Sequence, residues 1–184
     1  MKDTKFTIEI NGENWNVKET NEGFLCSFRY KFYFIPDDYV YSMMIPLSRE
    51  AVLEMILKAL ASKYYVAAKQ PTRKNKSVPV YGSNNREDCL AWMENQIGYW
   101  ELVHNVEKVK ITFTDGTGDS IPTAPSELGN EIMFSHEPDM YHFFVIVLTE
   151  DVNKLVDWYN NQYQDVSEGV LKVEHLDEPL VSKP

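Results

Sequence analysis

Lysine and arginine all but vanish from the last two-fifths of this chain. Residues 111–184 contain 3 of them, Lys154, Lys172 and Lys183, against 14 Asp and Glu, a net of −11. Residues 1–110 hold 15 against 14, so the formal charge of −10 sits at one end. Such a field repels nucleic acid and anionic membrane and attracts cations and basic protein surfaces. Cysteine is scarce too. Cys26 and Cys89 lie far apart, each in an apolar pattern, and are expected as buried free thiols of a reducing compartment rather than as a disulfide framework. No apolar run approaches the roughly 18 residues that a membrane-spanning helix needs. No basic segment followed by an apolar run opens the chain, so no secretory signal is expected and the cytoplasm is the expected location. Low-complexity tracts are lacking, and so is any catalytic motif of high specificity.

What is present suits a globular chain of one domain, or of two small subdomains sharing a core. Aromatics make up 13% of the 184 residues, enough to dominate that core. Phe6, Ile8 and Ile10 alternate with polar residues, and Asn11-Gly12 then supplies the dipeptide best suited to a tight hairpin. Trp15 and Val17 alternate on the return. From Phe24 to Ile35 the even positions Phe24, Cys26, Phe28, Tyr30, Phe32 and Phe34 predict one long strand with one buried face. After a turn at Pro36-Asp37-Asp38, Tyr39–Ile45 completes a meander. Ser48 is the expected N-cap of a helix reaching about Ala68, with a stripe through Val52, Met55, Ile56, Ala59 and Leu60.

Lys69 to Ser77, with Arg73, Lys74 and Lys76, reads as a basic linker. Asn84 and Glu87 form a capping-box pattern for a helix to about Ile97, which Gly98 ends. Val109, Ile111 and Phe113 alternate as a strand, and 115–130 reads as a long loop. Tyr141–Leu148 predicts a central strand. Thr149 is the expected cap of a third helix, with Glu150 and Asp151 in its first turn. A short strand over Val170–Val173 precedes the tail.

Two groups of residues suggest chemistry. His136, Glu137, Asp139 and His142, joined by Asp115 and Asp119, offer imidazole and carboxylate ligands for zinc or a harder cation. Their spacing matches no metal motif, and Pro138 breaks any helix there. The run Asp115-Gly116-Thr117-Gly118-Asp119-Ser120 departs from phosphate and calcium loops alike, because its acids repel phosphate and lack calcium spacing. On the third helix, Asp157, Asn160, Asn161, Gln164 and Asp165 fall off the apolar stripe, with Trp158 beside it. Carboxylates and amides around a partly exposed aromatic make an interface patch, in which the aromatic anchors and the charges steer.

The expected fold is therefore α+β. Residues 1–70 form an antiparallel meander packed on a long helix, 71–82 a basic linker, and 83–184 an acidic α/β portion with two helices and three to four strands. The expected function is a non-enzymatic protein-binding module. More narrowly, it is an acidic inhibitor or accessory factor docking on a basic, nucleic-acid-handling partner, as mobile-element anti-defence proteins do by imitating nucleic acid. Its expected binding residues are Glu150, Asp151, Asp157, Trp158, Asn161 and Asp165. No cofactor, direct nucleic-acid contact or membrane partner is called for, and nothing in the composition fixes an oligomeric state. The alternatives are a metal-dependent hydrolase built on Asp115, Asp119, His136, Asp139 and His142, or a structural subunit of an assembly.

Overall fold

The chain begins with strands β1 (Lys5–Ile10) and β2 (Glu13–Glu19), joined by Asn11-Gly12 with φ of 53° and 82°. Both turn residues are left-handed, which only Asn, Asp and Gly adopt cheaply, and the twist they impart suits a two-residue hairpin. The computed structural model describes residues 4–37, 48–69, 77–114, 122–139, 141–163 and 169–176. The expected strand Tyr39–Ile45, linker residues 70–76, Asp115, Asp119, Asp165 and the end of the tail lie outside them. Among the described residues no helix is long and apolar enough to cross a membrane. They divide into two units, one up to Asn105 and one from Val106.

In the first unit the expected long strand is two strands. β3 (Gly23–Phe28) and β4 (Lys31–Pro36) pair antiparallel through a tight turn at Arg29-Tyr30, where Arg29 takes φ 53°. The turn inverts the side-chain phase. Phe24 and Cys26 face the core before it, Tyr33 and Ile35 after it, and Phe32 is 57% exposed. β1 to β4 form one sheet in chain order.

Helix α1 (Arg49–Leu60) starts at the expected cap, where Ser48 Oγ accepts from Ala51 N at 3.1 Å. It stops well short of Ala68. Ser62 Oγ donates to Lys58 O, and the Asn105 amide donates to Leu60 O and Ser62 O, so the last carbonyls are satisfied from outside the helix. The next residues, rich in aromatic and branched side chains, form β5 (Tyr64–Lys69). It pairs with β6 (Ser77–Ser83) and β7 (Trp100–His104) in a three-stranded sheet. β6 occupies part of the expected linker. It is an edge strand, where Pro79 removes no interior hydrogen bond. α1 runs closest to β6 rather than to the meander. Gly82 permits this, since a Cβ there would lie 2.7 Å from Ala59 Cα. Helix α2 (Arg86–Glu94) is capped by Asn85, not Asn84, and ends three residues before Ile97. The core gathers Trp15, Phe24 and Ile35 with Leu53, Ile56 and Leu57 of α1 and Tyr65 of β5.

The second unit is one antiparallel sheet with a helix. β8 (Glu107–Phe113), β9 (Asn130–His136), β10 (Phe143–Thr149) and β11 (Val170–His175) lie in the order β11-β8-β10-β9. β10 alternates buried and half-buried residues, as an interior strand does. Its buried side meets α3 (Val152–Asn161), whose Val152, Leu155, Val156 and Tyr159 are fully buried. Tyr159 stands edge-on to Phe113 at 5.2 Å. The protein is thus mostly β, with sheets of four, four and three strands. It is not a meander on a long helix followed by an α/β portion. The division falls after Asn105, beyond the stretch read as a linker.

Candidate functional site

The division at Asn105 separates charge as well as fold. Residues 106–177 hold 4 lysines, no arginine and 14 acids, a net of −10, and the rest of the chain nets zero. The net charge that would favour a basic partner therefore belongs to the second unit.

The structure sorts the expected binding residues of α3 into two groups. Thr149 ends β10 instead of capping the helix: its Oγ1 donates to Leu128 O at 2.7 Å and accepts from Asp151 N at 3.1 Å. Asp151 is the cap, and its Oδ1 accepts from Asn153 N and Lys154 N at 3.1 and 3.3 Å. That carboxylate is committed to the helix dipole and its first turn. Glu150 is half-buried beside it. Asp157 and Asn161 are exposed, and Trp158 between them is half-buried with its ring edge-on to Tyr159 at 5.2 Å. Asn160 is spent on the fold, its Oδ1 accepting from Val170 N at 3.0 Å. We expect Asp151→Ala to lower second-unit stability by about 0.5–2 kcal/mol. Asp157→Lys should leave it within about 0.5 kcal/mol. Thermal melts of the two variants check this, and equal losses would place Asp157 in the fold as well.

The expected metal cluster forms a turn and a pair of ion pairs. Asp139 accepts from Tyr141 N at 2.9 Å and His142 N at 3.2 Å, and its other oxygen meets His142 Nδ1 at 2.7 Å. The His142 hydrogen bond, then that from Tyr141 N, holds the Asp139 carboxyl below its ordinary range. Carboxylate and imidazole thus close the connection from β9 to β10, as Asx turns do. Glu137 meets Lys110 Nζ at 2.6 Å, and that ammonium also sits 4.3 Å from the centre of the Phe144 ring. His136 lies against Phe143, 4.0 Å between ring centres. A shallow cleft of about 530 Å³ joins Lys110, Thr112, Glu137, Asp139 and His142 to Lys172. Its charges face one another, Lys172 meeting Glu174 at 3.5 Å. Its hydroxyl, Thr112, is held 3.4 Å from Glu137. Among the described residues no group of three or more His, Cys, Asp or Glu side chains is gathered as a metal site. The thiols are no better placed for chemistry. Cys26 and Cys89 are free and buried, and burial pushes Cys26 up to about 12 and raises Cys89 as well.

The feature that sequence reasoning missed is β9. It ends the sheet, and among the described residues no strand pairs with its outer side. Ile132, Met133 and Phe134 are 54%, 50% and 48% exposed, three consecutive apolar residues on an open edge. The register against β10 shifts between Ile146 and Val147, leaving Ile132 as the extra residue of a bulge. A hydrogen bond fastens the strand to the helix: Tyr159 Oη donates to Glu131 Oε1 at 2.6 Å, and the same oxygen accepts from Ala124 N at 3.0 Å. Burial, then the Glu131 bond, raises the Tyr159 pKa far above the ordinary phenol value. The sequence signal was the Ile-Met-Phe run itself, set two residues beyond Asn130 in a segment with no alternation to announce a strand. No family model, curated protein or solved structure matches the chain.

Proposed function

We propose that this protein is a non-enzymatic binding module whose second unit captures an extended, basic segment of a protein partner on the edge of β9. The observation that carries the reading is the open Ile132-Met133-Phe134 edge in the unit that holds the whole net charge of −10. An open edge offers unpaired N–H and C=O groups, and β9, though bulged at Ile132, carries neither the lysine nor the proline with which natural proteins often blunt such edges. An added strand gains main-chain hydrogen bonds there, while exposed apolar side chains supply pockets for alternate residues. The surrounding acid favours lysine and arginine on the incoming segment and speeds encounter with a basic surface. Asp157, Trp158 and Asn161 on α3 extend the same acidic unit. A nucleic-acid-handling protein of the cytoplasm is the partner class that suits this charge, and an inhibitor or accessory factor is the corresponding role.

The test uses two synthetic strand peptides, one alternating lysine with valine and one alternating glutamate with valine, titrated onto the full chain. The lysine peptide should bind and weaken as salt rises, because exposed charges are screened. Ile132→Lys and Met133→Lys should each lower its affinity about tenfold or more, which corresponds to about 1.4 kcal/mol. Asp157→Lys should act mainly on the association rate. Equal binding of both peptides, or no effect of the β9 lysines in folded protein, would overturn the reading.

A further inference from the structure

β11 is the other end strand of the second unit's sheet, and among the described residues no strand pairs with its outer side. Leu171, Lys172 and Leu176 are exposed and Glu174 is half-buried. In an antiparallel ladder the N–H and C=O of one residue point to the same neighbouring strand, and the direction alternates from residue to residue. Leu176 N donates to Lys108 O at 2.9 Å, so Leu176, Glu174 and Lys172 turn their backbone groups toward β8. Val173, between Lys172 and Glu174, turns its N–H and C=O to the open side. The irregularity in β11 lies between Val170 and Lys172, and the register from Lys172 to His175 is unbroken.

We propose that β11 pairs antiparallel with β11 of a second copy of this chain, across a two-fold axis at Val173. The contact is isologous, the same patch serving both copies. Val173 then faces its own counterpart, at a position where two opposed residues exchange both backbone hydrogen bonds. On either side Lys172 of one copy stands opposite Glu174 of the other, at non-hydrogen-bonded positions where Cα atoms are about 4.5 Å apart and side chains are closest. Within one chain these two side chains meet at 3.5 Å along the strand, and pairing gives each a second opposite charge. Neighbouring axes fail. Centred on Lys172 or on Glu174, the pairing sets a charge against its own kind and calls on backbone groups already turned to β8. Centred on His175, it sets Glu174 against the apolar Leu176. A lysine on an edge ordinarily keeps other strands away. Here the glutamate two residues on lifts that protection for one occupant, the antiparallel copy. A wholly basic strand is repelled at Lys172, and a wholly acidic one at Glu174. The joined sheet runs β9-β10-β8-β11 and then through the same strands in reverse, so β9 stays an edge at either end.

Sedimentation equilibrium of the full chain tests the proposal. It is run at about 0.15 M salt, where repulsion between the acidic units is screened beyond about 8 Å and contacts at the seam persist. A reversible monomer–dimer equilibrium is expected. Lys172→Glu and Glu174→Lys should each weaken it about tenfold or more. Mixed in equal amounts, the two variants should associate with each other about as well as the unaltered chain does with itself, because each again faces only opposite charge across the seam. Val173→Pro removes the outward N–H at the axis and leaves the ladder to β8, since an edge strand accepts proline where its N–H faces out. It should abolish the dimer, and it serves as the test variant should a charge variant fail to fold. Thermal melts establish that each variant is folded. Ile132→Lys on β9 should leave the equilibrium unchanged. A chain that stays monomeric up to about 1 mM would overturn the proposal. So would a dimer indifferent to the β11 variants, a mixture of the two charge variants that fails to associate, or a dimer lost in Ile132→Lys.

Discussion

Ile35→Ala is expected to destabilise the first unit by about 2–5 kcal/mol, the range for truncating a buried isoleucine. Phe32→Ala, three residues away on the same strand, should change stability by no more than about 0.5 kcal/mol. Ile35 is 0% exposed in the core with Trp15 and Phe24, and Phe32 is 57% exposed on the opposite face. The contrast depends on one turn. A continuous strand from Phe24 to Ile35 would place Phe32 beside Cys26 and send Ile35 outward. The left-handed Arg29 ends that continuity and shifts the alternation by one. Urea titration followed by tryptophan fluorescence, carried out on a Trp158→Phe background, reads the right unit, because the remaining tryptophans Trp15, Trp92 and Trp100 all belong to it. A larger loss for Phe32→Ala than for Ile35→Ala would restore the continuous strand.

Parts of this architecture are written in single residues. Asn11-Gly12 announces its hairpin because few other residues reach positive φ without strain. Ser48 announces a helix start because its hydroxyl satisfies an orphan N–H. The β10 strand shows its buried side as a run of alternate valines and phenylalanine. Other parts depend on contacts that sequence does not carry. Arg29-Tyr30 has no turn-forming chemistry of its own, and pairing of Phe28 with Lys31 imposes its conformation. Tyr64, Tyr65 and Val66 fit the helical stripe of α1 as well as they fit a strand. What ends the helix is the amide of Asn105, more than forty residues away in the chain. Pro79 argues for a linker until β6 is seen to be an edge.

The candidate site divides in the same way. The acidic bias of the C-terminal part is pure composition, and it coincides with a structural unit. The role of each acid is not composition. Asp151 and Asp139 look like ligands in a row of letters, yet one caps a helix and the other ties a turn, because short carboxylates near free backbone N–H groups bind those first. The β9 edge was hidden for a related reason. β9 is largely exposed on both faces and bulged at Ile132, so its residues carry no alternation, and burial is what normally writes the period into a sequence.

Tyr159→Phe is expected to destabilise the second unit by about 1.5–3 kcal/mol at neutral pH, the usual cost of a hydrogen bond to a charged group. The phenol is 0% exposed and donates to Glu131 at 2.6 Å, so the variant leaves a carboxylate oxygen with one partner fewer in a buried setting. The pH dependence follows from the raised pKa. In the unfolded chain a tyrosine ionises near 10. In the fold, burial first and the Glu131 carboxylate second keep Tyr159 protonated well above that. Protons are then bound more tightly by the folded state, so this contribution is complete below about pH 10 and is lost progressively as pH rises beyond it. Stability of the unaltered protein should fall through the alkaline range more steeply than that of Tyr159→Phe, and the two should converge. Calorimetry across that range, compared between the two proteins, removes the background of the other tyrosines. Parallel slopes would show that Tyr159 ionises freely and that its bond to Glu131 is not maintained. The bond also links the helix that carries Asp157 and Trp158 to the strand that carries Ile132 and Met133. Tyr159→Phe should therefore lower affinity for the lysine–valine peptide without touching any group the peptide meets, and Ile132→Lys should lower that affinity without changing the alkaline slope.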